Sequence, residues 1–347
     1  MAAVAPQTLP EDLEEAIRAL KAERNAVILA HYYQDDEIQD LADVVGDSLA
    51  LARAAQQVDS DVIAFCGVHF MAETAKILNP ERTVVMPDLE AGCSLADGCP
   101  ADEFEKFVSE HPGSTVITYI NCTAAVKALS DVICTSSNAE HVVRSVPADR
   151  QILFAPDEHL GSWLRGRTGR EMTLWPGRCM VHDAFAVEQL ERLLDSYPDA
   201  LLIAHPECPP DILELAQFVG STAKLIGRVQ EDPSATYIVA TESGLLHEIR
   251  RRVPGARVIP LPPSRSNVLG ASTEASIPAP RVRDGAGEVL PVDPEHGCAC
   301  AICPHMRRNT MEKLFLCLRD LSPRIELDEE TRQRALRPIE RMLELSA

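Results

Sequence analysis

One segment of the chain recurs later in the sequence without a gap. The stretch VILAHYYQDDEIQDLADVVGDSLALA starts at Val27, and it aligns with LLIAHPECPPDILELAQFVGSTAKLI, which starts at Leu201. The alignment places His31 opposite His205. A middle segment, VITYINCTAAVKALSDVICTSSNA, follows the same frame and has Tyr119 at the histidine position. Repetition on this scale predicts three units built on one plan.

Short runs rich in β-branched residues alternate with amphipathic stretches along the whole chain. This rhythm is typical of parallel sheets covered by helices, so we predict an α/β fold. The predicted strands are Val27–Ala30, Asp61–Phe65, Thr83–Met86, Thr115–Tyr119, Asp131–Cys134, Gln151–Phe154, Ala200–Ala204, Thr236–Ala240 and Ala256–Ile259.

Length and charge narrow the range of functions. A chain of 347 residues suits two or three domains. The formal net charge of -20 opposes binding to nucleic acid or to an anionic membrane surface. No run approaches the roughly 18 apolar residues that span a bilayer, and the start MAAVAPQTLPEDLEEA does not resemble an export signal. We therefore expect a cytoplasmic protein without a nucleic-acid or membrane partner.

A pair of polar residues follows the first strand of each unit. The pairs are His31 with Tyr33, Tyr119 with Asn121, and His205 with Glu207. Residues two apart at a strand end project the same way, and open α/β sheets bind ligands at this edge. Each pair is therefore predicted to line a pocket.

A hydroxyl residue recurs 17 positions after the first member of each pair. Ser48, Ser136 and Thr222 each precede a helix-like run, where the side chain can cap the helix and the free amides can bind an anion. A purely stabilising cap, with a contribution of about 1 kcal/mol, is the alternative interpretation. The recurrence in frame with the polar pairs favours anion binding.

The 11 cysteines fall into three groups. Four of them, Cys66, Cys122, Cys134 and Cys317, lie in apolar runs and are predicted to fill the core. Cys99 and Cys208 occupy no position of the repeat. Cys93, Cys179 and the CACAIC stretch lie in turn-rich loops, one after each repeat frame.

Three loop thiolates that meet at one centre suit either zinc or an iron-sulfur cluster. A structural zinc site normally takes a fourth close ligand, so three thiolates leave a position open for substrate. Cys298, Cys300 and Cys303 could by themselves form a local metal knuckle, but no second Cys-x2-Cys pair completes it.

Several strings, in order along nearly the whole chain, resemble the iron-sulfur quinolinate synthase family. They are AHYYQ, GDSLALA, FMAETAKILNP, YINCTA, TSSNA, PGRCMVH, AHPEC, GSTAKLI and IERMLEL. The resemblance implies three pseudo-threefold-related, three-layer αβα domains with parallel sheets around a central active site. It also implies one oxygen-sensitive 4Fe-4S cluster with three cysteine ligands and one open iron. The implied reaction condenses iminosuccinate, made by L-aspartate oxidase, with dihydroxyacetone phosphate to give quinolinate, phosphate and water.

The implied domains are residues 1–95, 96–182 and 183–304. The last of these includes a long loop at 262–297, and the C-terminal helices at 305–347 are expected to pack on the first domain.

The family's site residues fall on the positions that the repeat selects. Its cluster ligands match Cys93, Cys179 and Cys303. Its substrate contacts match His31, Tyr33, Ser48, Tyr119, Asn121, Ser136, His205, Glu207 and Thr222. One departure concerns the third ligand, because relatives with several cysteines there tend to show Cys-x2-Cys-x2-Cys-Pro. Here the spacing is Cys298-Ala-Cys300-Ala-Ile-Cys303-Pro, so Cys300 is the second choice.

The expected chemistry gives each catalytic residue a role. We predict Glu207 as the principal base and Tyr33 as its acid-base partner, with His31 and His205 as anion binders or proton carriers. Three alternatives remain at this point. They are another 4Fe-4S hydro-lyase that acts on a single hydroxy acid, a cluster-based redox or oxygen sensor, and a zinc enzyme.

Overall fold

Short strands rich in valine, isoleucine and alanine organise the protein. A computed structural model describes residues 9–264 and 301–346. Its strands are β1 (Ala26–His31), β2 (Val44–Gly46), β3 (Val62–Cys66), β4 (Thr83–Val85), β5 (Thr115–Tyr119), β6 (Val132–Cys134), β7 (Ile152–Ala155), β8 (Met172–Leu174), β9 (Leu201–Ala204), β10 (Phe218–Val219), β11 (Thr236–Ala240) and β12 (Arg257–Pro260).

Helices connect most of the consecutive strands. They are α1 (Leu13–Glu23), α2 (Asp36–Leu41), α3 (Ser48–Gln57), α4 (His69–Leu78), α5 (Ser94–Asp97), α6 (Ala101–Ser109), α7 (Ala124–Lys127), α8 (Ala139–Ser145), α9 (Glu158–Thr168), α10 (Val187–Ser196), α11 (Pro210–Leu215), α12 (Thr222–Glu231), α13 (Leu245–Arg252), α14 (Met311–Asp320) and α15 (Glu329–Glu344). Two short 3-10 helices span His182–Ala184 and Met306–Arg308. Most of the longer helices bury one apolar stripe, whereas α4 buries seven of its ten residues.

The strands form three parallel four-stranded sheets with one shared topology. Their orders are β2-β1-β3-β4, β6-β5-β7-β8 and β10-β9-β11-β12. The predicted α/β class with parallel sheets is therefore confirmed, and all nine predicted strands are present. The sequence pattern missed β2, β8 and β10, which span two or three residues each. The pseudo-threefold arrangement and the three domain boundaries remain predictions.

The repeat extends to individual hydrogen bonds. In each sheet a polar side chain just before the second strand accepts a bond from a backbone N–H of the first strand. The bonds are Ile28 to Asp43 (2.8 Å), Val116 to Asp131 (2.8 Å) and Leu202 to Gln217 (2.6 Å). The two aligned glycines also share a constraint, since a Cβ at Gly46 or Gly220 would lie 2.9 Å from the Cβ four residues later. One local plan therefore forms all three sheets.

The chain divides into two compact units. The first comprises Met1–Gly92 with Pro304–Asp328, and the second comprises Cys93–Cys303 with Glu329–Ala347. In the first unit, one face of β1 and β3 packs against α1 and α14 through side chains such as Ile17, Ile28 and Leu314. The second unit holds the other two sheets. Most of the predicted loop at 262–297 lies outside the described residues.

The C-terminal helices do not both pack where the sequence analysis placed them. Helix α14 packs against α1 and β3 of the first unit, whereas α15 packs against α7 and β6 of the second. The expected packing of α15 on the first unit is therefore wrong. The buried stripe of Ala335, Ile339 and Met342 was visible in the sequence, but an apolar stripe does not specify which sheet it covers.

Candidate active site

A buried glutamate at the carboxyl end of β9 joins two sheets of the second unit. Glu207 lies three residues after the end of β9 and is 2% exposed. The hydroxyl of Tyr119, the last residue of β5, donates a hydrogen bond to Glu207 Oε1 at 2.5 Å. Two of the predicted polar pairs are thus in direct contact.

A histidine that the sequence analysis did not select completes the surroundings of Glu207. His182 Nδ1 lies 3.0 Å from Glu207 Oε2 and 3.2 Å from Cys179 Sγ, while Nε2 lies 2.9 Å from Thr241 Oγ1. Its ring stacks on that of His205, with centroids 4.7 Å apart. The Cys179-x2-His182 spacing within PGRCMVH was the available signal. Its importance appears only when Glu207 is brought beside it.

These neighbours keep Glu207 ionised. Burial opposes its negative charge, but His182 and His205, together with hydrogen bonds from His182 and Tyr119, lower the pKa of Glu207 well below its usual range. A buried carboxylate that stays charged can accept hydrogen bonds from a substrate, but a low pKa makes it a weaker base, so the predicted role of Glu207 as a base rests on its position.

The histidine of the third polar pair has a defined tautomer. The backbone N–H of Glu207 donates to His205 Nδ1 at 3.4 Å, so the proton of the neutral ring resides on Nε2. Nε2 in turn lies 3.2 Å from Ser136 Oγ. His205 therefore presents an N–H donor on the side where Ser136 lies, which suits an anion binder.

The first unit repeats this arrangement at the end of β1. The backbone N–H of Tyr33 donates to His31 Nδ1 at 3.2 Å, and the Tyr33 ring packs edge-on against the imidazole, with centroids 4.4 Å apart. His31 is 6% exposed and Tyr33 is half-buried. The predicted pair is thus in mutual contact within its own unit.

The predicted hydroxyl residues do not cap their helices. Ser48 and Thr222 are the first residues of α3 and α12, and the residues before them, Asp47 and Ser221, are the caps. A capping side chain must reach the amide three residues on, and Asp47 does so to Ala50 at 2.9 Å. The predicted cap positions for these two residues are wrong by one residue.

Ser136 departs further from a capping position, because it lies two residues before Asn138, the cap of α8. Its neighbour Ser137 donates to Ser221 Oγ at 2.8 Å, so hydroxyls that precede α8 and α12 converge. Asn121 adds a buried Oδ1 that has no hydrogen-bond partner among the described residues. Buried polar atoms normally have partners, so this oxygen fits a substrate contact.

The three predicted ligand cysteines lie near one another. Burial, together with the charge of a nearby Cys303 thiolate, raises the pKa of Cys93 to about 12, although local backbone amides oppose the rise. Burial, Glu207 and both other thiols raise the pKa of Cys179. Each pair of the three thiols thus interacts electrostatically. Protonated thiols release their protons on binding a metal, so this donor set fits a soft metal centre.

Other cysteines behave as the sequence predicted. Cys66, Cys122, Cys134 and Cys317 are all buried in the core. Cys208 is also buried, and its thiol donates to the Ala240 carbonyl at 3.3 Å. Cys298 and Cys300 lie outside the described residues. The ligand atoms of Cys179, His182 and Glu207 lie within 4.8 Å of one another, a spacing that could also hold a single metal ion.

No helix among the described residues is long and apolar enough to cross a membrane.

Comparison with known proteins identifies the family. The model of the family described as quinolinate synthetase A protein matches residues 15–344. A quinolinate synthase of Prochlorococcus marinus (strain MIT 9303) is 52% identical over 335 residues, which cover 96% of this chain and 91% of that protein. A quinolinate synthase of Synechococcus sp. is 51% identical over 100% of this chain and 99% of its own length. One from Chloroherpeton thalassium is 50% identical over 96% of this chain and 95% of its own. The chain belongs to the quinolinate synthetase A protein family.

Proposed function

We propose that this protein is a quinolinate synthase. It condenses iminosuccinate with dihydroxyacetone phosphate to form quinolinate, phosphate and water, and so acts as a transferase in NAD biosynthesis. The observation that carries the proposal is the buried Glu207, which contacts Tyr119 and His182 and lies within 4.8 Å of the Cys179 thiol, in a chain about 50% identical to quinolinate synthases.

Cys93, Cys179 and Cys303 would hold a 4Fe-4S cluster. The donor set consists of three thiols, which is the ligand type that iron-sulfur clusters take. When bound through only three cysteines, such a cluster supplies an iron with an open position that acts as a Lewis acid on a hydroxyl or carboxylate.

Neutral donors would hold the anionic substrates. His205 Nε2–H, the Ser136 hydroxyl and the amides at the start of α12 beside Thr222 suit a phosphate or a carboxylate. His31 and Ser48 are the corresponding groups of the first unit. This use of dipoles and neutral donors agrees with a chain whose net charge is -20.

Proton transfer would centre on Glu207. Its carboxylate accepts a hydrogen bond from Tyr119, and His182 lies on its other side, so the proton that it takes from a substrate carbon or nitrogen can be passed on locally. Tyr33 is the proposed acid-base partner, and Asn121 offers its amide oxygen to a substrate N–H or O–H. Orientation of the two substrates would contribute independently of proton transfer.

An L-aspartate oxidase is the proposed source of iminosuccinate. An imine hydrolyses in water, so a short path from oxidase to synthase in the cytoplasm would limit its loss.

Anaerobic assay of the purified protein tests the function. We expect a brown protein that bleaches in air and that releases quinolinate and phosphate in equal amounts from the two substrates. Turnover of a single hydroxy acid without phosphate release would favour the hydro-lyase alternative. A colourless, fully active protein that contains zinc would contradict the cluster.

A further inference from the structure

The third strand of each sheet in chain order is followed by the same backbone hydrogen bond. The third residue after β3, β7 or β11 donates its N–H to the carbonyl of a residue 19 or more positions along the chain. The bonds are His69 to Ala91 (2.7 Å), Glu158 to Gly177 (2.8 Å) and Ser243 to Ala301 (2.9 Å). Each accepting residue lies two positions before a cysteine, and those cysteines are Cys93, Cys179 and Cys303.

A buried carboxylate adds to this bond in two of the three sheets. Asp157 and Glu242 lie two residues after the ends of β7 and β11, and both are 0% exposed. In the first sheet the same position is Val68. We call residues 67–69, 156–158 and 241–243 the strand-end clamps.

Both oxygens of Glu242 accept bonds from backbone N–H groups. Oε2 accepts from Gly244 at 2.6 Å, which shapes the turn after β11, and Oε1 accepts from Cys303 at 3.2 Å. Together with the bond from Ser243 to Ala301, this fixes the backbone on either side of residue 302. Ala301 and Cys303 also pack into the core around Ile238 and Ala240.

Asp157 has the corresponding relation to the loop that carries Cys179. Its Oδ1 caps α9 by accepting from the Leu160 N–H at 2.7 Å, and its backbone pairs with Gly177 as a parallel bridge. Its other carboxylate oxygen, Oδ2, is buried and accepts no hydrogen bond in the described structure, so Asp157 reaches the Cys179 loop through its backbone bridge. A Cβ at Gly177 would collide with the Pro156 carbonyl oxygen, so the loop lies directly against the strand end.

Burial of the Glu242 carboxylate near the ligand cysteines is unfavourable. A fully buried carboxylate loses its hydration, and the nearby thiols become negative when they bind metal. Core packing alone would favour an apolar side chain here. Its two charge-assisted hydrogen bonds from backbone N–H groups, one of them from Cys303, offset the burial and hold the loop in place.

We propose that the strand-end clamps set the position of the three cluster-binding cysteines, with Asp157 as the positioning residue for Cys179 and Glu242 as the positioning residue for Cys303. The inference rests on the proposed cluster function. It also selects Cys303 as the third ligand on structural grounds, because Ala301 occupies the accepting position that Ala91 and Gly177 occupy in the other clamps.

Thiol reactivity in the full-length, cluster-free protein tests the clamps without any turnover. Glu242→Gln keeps the size of the side chain but replaces one acceptor oxygen with an NH2 group that faces a backbone N–H. Asp157→Asn removes the negative charge of the buried carboxylate, while its amide oxygen can keep the helix cap. Iodoacetamide labelling is followed for each cysteine by peptide mass spectrometry across a pH series, and the limiting rates of the thiolates are compared.

The expected result is specific to each variant. Glu242→Gln should raise the rate at Cys303 about tenfold, the effect of losing one charge-assisted hydrogen bond. Asp157→Asn should raise the rate at Cys179 by less, because a weaker cap on α9 loosens the strand end that contacts the loop. Cys93 should keep its rate in both variants, since Val68 provides no carboxylate. Reconstituted Glu242→Gln should also lose iron to a chelator faster than the wild type.

A matched control separates positioning from general destabilisation. Glu248 is a buried carboxylate in α13 that binds Arg251 and Arg252 and contacts no cysteine loop in the described structure. An equal rise at all three cysteines, an equal effect of Glu248→Gln, or an unchanged Cys303 rate in Glu242→Gln would overturn the proposal. If the wild type carries no cluster but this labelling pattern holds, the proposed function fails while the clamps stand.

Discussion

The ends of β1 and β9 show how one repeated plan produces two different chemical environments. In both, a histidine lies at the carboxyl end of the strand, and the backbone N–H two residues later donates to its Nδ1, at 3.2 Å for His31 and 3.4 Å for His205. Both rings therefore hold their neutral proton on Nε2. The repeat fixes the tautomer because backbone geometry, which the repeat conserves, makes the bond.

The residue two positions after the histidine makes the difference. Tyr33 is half-buried and contacts the His31 ring, whereas Glu207 is 2% exposed and is bound by Tyr119 and His182. Binding groups are thus set by the shared backbone, while the reactive group depends on a single side chain and on neighbours from distant parts of the chain.

Removing a ligand thiol should have the largest effect on cluster binding and activity. Cys93→Ala, Cys179→Ala or Cys303→Ala should each abolish the cluster and all product formation, because two thiolates cannot hold a cluster designed for three. Cys66→Ala, at the end of β3, is the control and should keep both, since Cys66 is buried in the core. Iron and sulfide analysis with the visible absorption spectrum measures the outcome. A full, active cluster in Cys303→Ala would move the ligand to Cys300.

The second prediction compares the loss of kcat on substitution of Glu207 and of Tyr33. Glu207→Gln should lower kcat about a thousandfold or more and leave the cluster spectrum intact, since a principal base contributes roughly 10²–10⁴. Tyr33→Phe should lower kcat less, by about a hundredfold. Steady-state assays of quinolinate and phosphate compare the two variants. Equal losses would mean that the two strand ends share the proton transfer, and near-normal turnover of Glu207→Gln would exclude it as the base.

Sequence alone revealed what the repeat conserves. The polar pairs, the three loop cysteines and nine strands follow from local patterns, and the structure brings Tyr119 together with Glu207, and Ser136 with His205. The position of Ser48 and Thr222 was wrong by one residue because Asp47 and Ser221 reach the third amide of their helices.

The sequence pattern does not indicate residues whose role depends on long-range contacts. His182, Asp157 and Glu242 lie outside the polar-pair frame, and their partners are up to 61 residues away, as for Glu242 and Cys303. The surface against which α15 packs was predicted wrongly for the same reason. Amphipathic spacing indicates a buried face but not the surface that covers it.

The shared histidine tautomer gives a smaller and more selective prediction. His205→Gln can place an amide NH2 near the position of Nε2, whereas His205→Asn can replace only Nδ1. We expect the Gln variant to stay within about tenfold of wild-type kcat/KM and the Asn variant to fall further, mainly through KM, because a donor to an anion is lost. The same order is expected at His31. Better activity with Asn at either position would contradict the assigned tautomer.

The smallest expected effect concerns a carboxylate of the first unit that has a structural role. Asp88 binds Lys313 Nζ at 2.6 Å and Arg308 Nε at 3.2 Å, and although partial burial opposes its charge, these contacts lower its pKa. A carboxylate with a lowered pKa stabilises the fold at pH values above its pKa in the unfolded chain, which is about 3.9. This stability is lost as the pH falls through the lower pKa of the folded state.

Asp88→Asn should therefore reduce the stability of the cluster-free protein near neutral pH by less than about 1 kcal/mol, since solvent screens the pair. The difference from the wild type should vanish at pH values below the folded pKa of Asp88. Thermal unfolding at several pH values measures it, and Asp59→Asn, at a fully exposed side chain, is the control. A difference that persists unchanged into acid would show that Asp88 stabilises the first unit through packing rather than through its charge, unlike Glu207, whose charge is the basis of its proposed role.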